Sequence, residues 1–209
     1  MFKTFNNIIR SVVEEYPKII RCEKGAMNNM FTINCKDIIL REFRIEDLDE
    51  LYELTLQSEI TDFLPDWKVT KEQRKEWLTN MHIRSNTDFL KAIPNISDQW
   101  LNLGIILKET NEFIGWCVTG PCDELTESNR EIGYAISKFH RNKGYATQAV
   151  KSLVEYLFQN TYVEILNAMA LTHNVASNRV IQKCGFRYLN DIKIGDRKFH
   201  YYKLDKNEL

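Results

Sequence analysis

Two stretches of the chain place residues where they can do chemistry on an anion. The first, R-N-K-G-Y-A-T-Q-A-V-K-S-L-V from Arg141 to Val154, sets a cation, two polar residues and a lone glycine ahead of an amphipathic helix. A helix start has unpaired backbone N–H groups and a partial positive charge, so it can seat phosphate if the chain ahead of it comes close. Gly144 has no side chain to prevent that approach, and Ala146 and Thr147 are small. Arg141 can add a charge-assisted contact. Taken by itself, one glycine before a helix is better read as a plain turn.

The second stretch, N-V-A-S-N-R-V-I-Q-K-C-G-F from Asn174 to Phe186, lies one strand further on. That puts it at the carboxyl end of the predicted sheet, where open α/β sheets bind ligands. Both stretches then face one crevice. Other chemistries find less support. His82, His140, His173 and His200 lack metal-ligand spacing, so no metal is expected. A nucleophile elbow of the G-x-S-x-G type is absent.

The elements that must position these stretches follow from periodicity. Ala146, Ala149, Val150, Leu153, Val154 and Leu157 form one apolar stripe, so the helix after Gly144 packs on a sheet. Glu131–Ile136 before it and Val163–Leu171 after it read as strands. Ala176–Lys183 reads as a short helix closed by Gly185, and Lys198–Leu204 as the final strand. Upstream, D-I-I-L-R-E-F-R has strand character and Ile45 opens a helix. Thr70 with Gln73 resembles a capping box that starts another helix. Trp100–Leu107 and Phe113–Val118 flank a turn and predict a hairpin. The order implies an α/β or α+β fold with at least one parallel, right-handed strand-helix-strand crossover.

Bulk properties narrow the function. At 209 residues the chain suits one domain with an extension, and can bury roughly two-thirds of its unfolded surface. Lys and Arg total 28 against 29 Asp and Glu, so no basic field exists to hold nucleic acid by counterion release. The five cysteines are scattered without C-x-x-C spacing, which argues against disulfides and predicts a cytoplasmic protein. Near the amino terminus Lys3, Arg10, Glu14 and Glu15 interrupt every apolar run, so neither a signal peptide nor a membrane span is expected. Phe2, Phe5, Ile8, Ile9, Val12, Val13 and Tyr16 instead stripe an amphipathic helix, packed on its own domain or on a dimer mate. Residues 1–32 are expected to be this extension and a linker, and residues 33–209 the main domain, as a monomer or homodimer.

Read together, R-x-x-G-x-A opening a helix and N-x-x-S-x-x-V-x-x-K-x-G-F beyond the next strand resemble the acyl-CoA signature of the GNAT N-acetyltransferases. E-I-G-Y-A-I, G-Y-A-T, A-S-N-R-V and the opening L-R-E-F-R-I-E-D-L-D-E-L-Y are similar to the RimJ/RimL branch, the ribosomal-protein N-terminal acetyltransferases and their relatives. The resemblance spans Asp37 to Leu204. It implies a GNAT-like acyl-CoA N-acyltransferase fold: a mixed, mostly antiparallel central sheet flanked by helices and splayed at the CoA site. The implied reaction moves the acetyl group of acetyl-CoA, as cosubstrate, to a primary amine by direct attack in a ternary complex. The different class to weigh against it is a non-catalytic acyl-CoA sensor or interaction module on the same fold.

The resemblance also implies residue roles. N–H groups from Asn142, Lys143, Gly144, Tyr145, Ala146 and Thr147 would cradle the pyrophosphate beside Arg141. The backbone of Tyr134, Ala135 and Ile136 would pair with the pantetheine arm and help polarise the thioester carbonyl. Asn174 would hydrogen-bond that arm, or serve as a helix cap worth about 1 kcal/mol. Many members place a tyrosine acid where this chain has Ile181. In the RimJ/RimL type a serine matching Ser177 takes that role and a carboxylate near Glu131 is a candidate base; the bland readings are a helix-start hydrogen-bonder and a strand-end charge paired with Arg130 or Lys138.

The amine acceptor, a peptide N-terminus or small molecule, would be chosen by Phe63–Trp67, the loop from Asp123 to Arg130 and the hairpin at Ile194-Gly195-Asp196. Asp66, Asp123, Glu124, Glu127 and Glu131 could form an acidic rim, with a solvated loop as the plainer reading.

Overall fold

The structure is a computed structural model that describes residues 30–122, 124–125 and 130–208; the predicted amphipathic helix of the first residues lies outside these. Its strands are β1 Thr32–Asn34, β2 Ile38–Glu42, β3 Leu101–Leu107, β4 Phe113–Pro121, β5 Arg130–Ile136, β6 Ile165–Leu171, β7 Arg187–Ile194 and β8 Arg197–Asp205. They form one sheet in the order β1-β2-β3-β4-β5-β6-β8-β7. Every neighbouring pair is antiparallel except β5 and β6. Those two are joined by the long helix Tyr145–Asn160, so the expected parallel crossover sits where the two candidate stretches meet.

The helices are α1 Leu48–Leu54, α2 Ser58–Thr61, α3 Lys71–Trp77, α4 Ile83–Ala92, α5 Tyr145–Asn160 and α6 Val175–Lys183. The helix predicted from Ile45 begins as a 3-10 turn over Ile45–Asp47. Asp47 explains it: its carboxylate accepts the Arg44 backbone N–H at 2.7 Å and both Arg41 guanidinium arms at 2.6 and 2.7 Å, which tightens the corner before α1. The Thr70 capping box is present, with Thr70 Oγ1 accepting from the Gln73 N–H and Gln73 Oε1 from the Thr70 N–H. The helical path continues through a π turn, Leu78–His82, into α4, and Leu78, His82, Asn86 and Phe89 form its buried face.

Residues of β3 and β4 are buried along their whole length, because both faces of the sheet are covered. On one face Leu101, Leu103 and Ile105 pack with Val150, Leu153 and Leu157 of α5, the stripe read from the sequence. On the other, Trp116 and Val118 pack with Leu51, Leu54 and Trp67. Trp67 stacks on Trp116 with centroids 4.3 Å apart and planes 10° off parallel. β5 alternates between the two layers: Ile132 and Ile136 belong to the α5 side and Ala135 to the tryptophan side.

Candidate active site

The site begins where β5 and β6 part. Both strands run seven residues, yet their register consists of one pair, Glu131 opposite Asn167. Asn167 closes that end: its Nδ2 donates to the Arg130 carbonyl at 3.1 Å and its Oδ1 accepts from the Tyr201 hydroxyl at 2.8 Å. Beyond the pair the strands diverge, leaving β5 carbonyl and amide groups unpaired on one edge for an extended ligand to use. A cavity of about 630 Å³ opens there.

The helix start of α5 forms one wall. Asn142 and Gly144 both take left-handed backbone conformations, at φ +62° and +82°. At Gly144, a Cβ would meet nothing within 4 Å. Its left-handed φ favours glycine, and the space in front of it is open. No side chain caps this helix, and the first intrahelical bond to Gly144 comes from Gln148 at 3.0 Å. Uncapped N–H groups at a positive helix end, facing a cavity, suit an anion. Every residue of the Arg141–Thr147 segment lines that cavity except Lys143, which is exposed. Arg141 turns one guanidinium arm onto the Glu59 carbonyl at 2.6 Å, which fastens the phosphate-loop candidate to the first turn of α2.

The start of α6 forms the facing wall, and it is capped. Asn174 Oδ1 accepts the Ser177 N–H at 3.1 Å. Asn178, which sequence reading passed over, is buried and anchors the helix: its Nδ2 donates to the Leu171 and Asn174 carbonyls and its Oδ1 accepts from Tyr202 at 2.7 Å. Its signal was a polar residue on the otherwise apolar inner face of a helix. Ile181 is 2% exposed and packs in the core, so the position of the usual tyrosine acid carries only hydrocarbon. Instead a tyrosine from the sheet reaches across. The Tyr134 hydroxyl lies 2.9 Å from both Ser177 Oγ and the Ser177 carbonyl. Sequence reading assigned Tyr134 a backbone role only; the meeting of β5 with α6 that brings its hydroxyl to Ser177 has no local signal.

Glu131 stands at the root of the cavity, 3% exposed. Neither cation considered for it is its partner. Arg130 is pinned to the Ser97 and Gln99 carbonyls, and Lys138 pairs with Glu59 at 3.6 Å. Burial pushes the Glu131 carboxyl up to about 7, against the downward pull of hydrogen bonding from Cys122 and the Met169 backbone. A carboxyl poised near neutrality, in a cavity, can take a proton from an amine or from a water between them.

The acidic rim is narrower than expected. Among the described residues, Glu131 is the one member of the predicted set on the cavity wall. Glu124 turns to the Cys122 thiol at 3.3 Å, and Asp123 and Glu127 lie outside the described residues. Phe63, Trp67, Trp116 and Phe199 also line the wall, beside the aliphatic Ile60 and Leu64 and a carboxylate outside the predicted set, Glu59. Among the described residues no group of His, Cys, Asp or Glu is placed to hold a metal ion.

An uncapped helix start, a split between parallel strands and a buried carboxyl on one cavity suit an acyl-CoA-dependent transferase. Residues 37–187 match the acetyltransferase (GNAT) domain family, and the chain belongs to it. It is thus an acetyl-CoA-dependent N-acetyltransferase. It is 27% identical over 155 residues to the uncharacterised N-acetyltransferase YnaD of Bacillus subtilis (strain 168), covering 74% of this chain and 82% of that one. The fold is similar to that of a GNAT-family acetyltransferase from Bacillus anthracis, with TM-score 0.69 at 22% identity over 85% of this chain and 99% of that one. It is also similar to RimL, the ribosomal L7/L12 α-N-protein acetyltransferase, solved with coenzyme A: TM-score 0.63 at 15% identity, over 84% and 98% of the two chains.

Proposed function

We propose that this acetyltransferase moves the acetyl group from acetyl-CoA to a primary amine, a peptide N-terminus or a small molecule, by direct attack in a ternary complex. The observation that carries the reading is that an uncapped helix start and a buried carboxyl open onto one cavity. The N–H groups at the start of α5 hold the pyrophosphate, and the free edge of β5 from Tyr134 to Ile136 pairs with the pantetheine arm. The thioester then lies in the split between β5 and β6. Glu131, directly or through water, takes the proton that the amine sheds. Ser177 Oγ donates a hydrogen bond to the departing sulfur. Asn174 holds the end of α6 in place for that contact.

Each role uses the group in the state its surroundings favour. Glu131 is half-ionised near pH 7, so it can accept a proton at working pH. The aromatic acceptor wall excludes water, which strengthens the dipoles around the thioester. A sensor that binds acyl-CoA without turnover would have no use for a buried carboxyl held near neutrality, and burying it costs stability. The reading further takes residues 33–209 as the catalytic domain, working in the cytoplasm as a monomer or homodimer, with residues 1–32 as an appended segment. Among the described residues no helix is long and apolar enough to cross a membrane.

The experiment is an acetyl-CoA-dependent thiol-release assay over peptides, amino sugars and polyamines. Release stimulated by at least one amine, with the acetylated amine found by mass spectrometry, supports the reading. Binding of acetyl-CoA with no stimulated release across the whole panel would leave the sensor in its place.

A further inference from the structure

The loss of the usual tyrosine at Ile181 leaves a chemical gap. An isolated serine hydroxyl is a feeble hydrogen-bond donor to a thiolate, and Ile181 offers nothing polar to assist it. The Tyr134 hydroxyl sits 2.9 Å from two acceptors on one residue, Ser177 Oγ and the Ser177 carbonyl. Its single proton can go to either. If it goes to the carbonyl, the Ser177 proton is drawn back onto Tyr134 and the serine shows the cavity a lone pair. If it goes to Oγ, the Ser177 proton is released to point into the cavity. Both residues line that cavity, and the Ser177 N–H is already held by Asn174, so the serine backbone does not move between the two arrangements.

We propose that Tyr134 is a positioning residue for Ser177: a two-position hydrogen-bond switch that turns the serine proton toward sulfur as the thioester breaks. The inference rests on the reading of Ser177 as the donor to the leaving thiolate. The amine nitrogen bonds to the acetyl carbon, the C–S bond breaks, and its electron pair stays on sulfur. Charge growing on sulfur favours the chain Tyr134 Oη–H to Ser177 Oγ–H to S⁻, because each hydrogen bond polarises the next. The amine loses one proton in forming the amide and the sulfur gains one through solvent, so neither Tyr134 nor Ser177 ends the cycle changed. Burial supports the switch by keeping the phenol protonated, since it pushes the Tyr134 hydroxyl well above its ordinary value. The tyrosine thus supplies from the sheet the help that relatives with an acid on the helix supply from α6.

Kinetics with a series of acetyl thioesters differing only in the acidity of the leaving thiol test this, using the full chain. With acetyl-CoA, Tyr134→Phe should lower kcat about tenfold, the value of one hydrogen bond, and leave the KM for acetyl-CoA within about twofold. The deficit should shrink toward nothing as the thiol becomes more acidic, because a good leaving group needs no donor. Ser177→Ala should show the same trend, and the double variant should be no slower than the slower single one, since the two act as a unit. Replacing Tyr134 by 3,5-difluorotyrosine keeps the ring and the donor, and should hold or raise kcat even if the phenylalanine variant folds poorly. A deficit independent of the thiol, losses that multiply in the double variant, or a slowed fluorotyrosine enzyme would overturn the proposal. If Ser177→Ala itself lacks the leaving-group trend, the serine reading fails; if it shows the trend and Tyr134→Phe does not, only the switch fails.

Discussion

Two helix starts face each other across the cavity, and they treat their backbone donors in opposite ways. At α6 the chain satisfies its own N–H: Asn174 caps it, with Asn178 behind. At α5 the chain leaves the donors bare, preceded by two left-handed residues and open space. With glycine at the N-cap, leaving α5 without a capping side chain forgoes only about a few tenths of a kcal/mol. The difference separates the two jobs. On the proposed function the bare start would bind charge brought by a ligand, and the capped one would hold the Ser177 hydroxyl at a fixed place.

The largest effect should come from the bare start. Gly144→Glu places a carboxylate against the pyrophosphate, and a like-charge contact of several kcal/mol should weaken acetyl-CoA binding about 100-fold or more by calorimetry. Gly144→Ala separates charge from strain. Its methyl group meets nothing, but φ of +82° should cost about 1–2 kcal/mol of stability, with binding changed only a few fold. Losing the charge effect in the first variant, or seeing both variants bind alike, would erase the contrast between the two helix starts.

At the capped start, Ser177→Ala should cut kcat about 100-fold while acetyl-CoA affinity changes little. Equal losses in kcat and affinity would move Ser177 from chemistry to binding. Between the two walls, Glu131→Gln should also cost about 100-fold in kcat/KM. Wild-type kcat/KM should rise through about pH 7 and the variant should lose that rise. The same variant should melt at a higher temperature at pH 8. The sign follows from linkage: a carboxyl raised in the folded state holds its proton more tightly there, so its contribution is fully present below the ordinary carboxylate range and lost as pH climbs through about 7. The gain from glutamine should therefore shrink toward pH 5. The smallest effect belongs to Asn174→Ala, which should cost about 1 kcal/mol of stability by thermal melting as the α6 cap is lost.

The order of strands and helices around the site was legible because it rests on local signals. The α5 stripe, the Thr70 capping box, Gly144 and Gly185 each announce themselves in a few neighbouring residues. What escaped was created by approach. The Tyr134 hydroxyl meets Ser177 across 43 positions of chain, Trp67 stacks on Trp116 from a different layer, and Arg130 spends itself on a loop of carbonyls rather than on Glu131. The 3-10 turn at Ile45 likewise answers to the Asp47 side-chain bonds, not to the period of the sequence. Glu131 shows both cases: its position was legible, and its raised acidity constant depends on burial that only the folded chain creates.

The claim that the bare start of α5 seats the pyrophosphate is tested most directly by calorimetry with two donors, acetyl-CoA and acetyl-pantetheine, which lacks the pyrophosphate. Wild-type protein and Gly144→Glu should bind acetyl-pantetheine equally, while the variant loses acetyl-CoA by about 100-fold or more. Equal acetyl-CoA affinity in the two proteins, or a matching loss with acetyl-pantetheine, would contradict it.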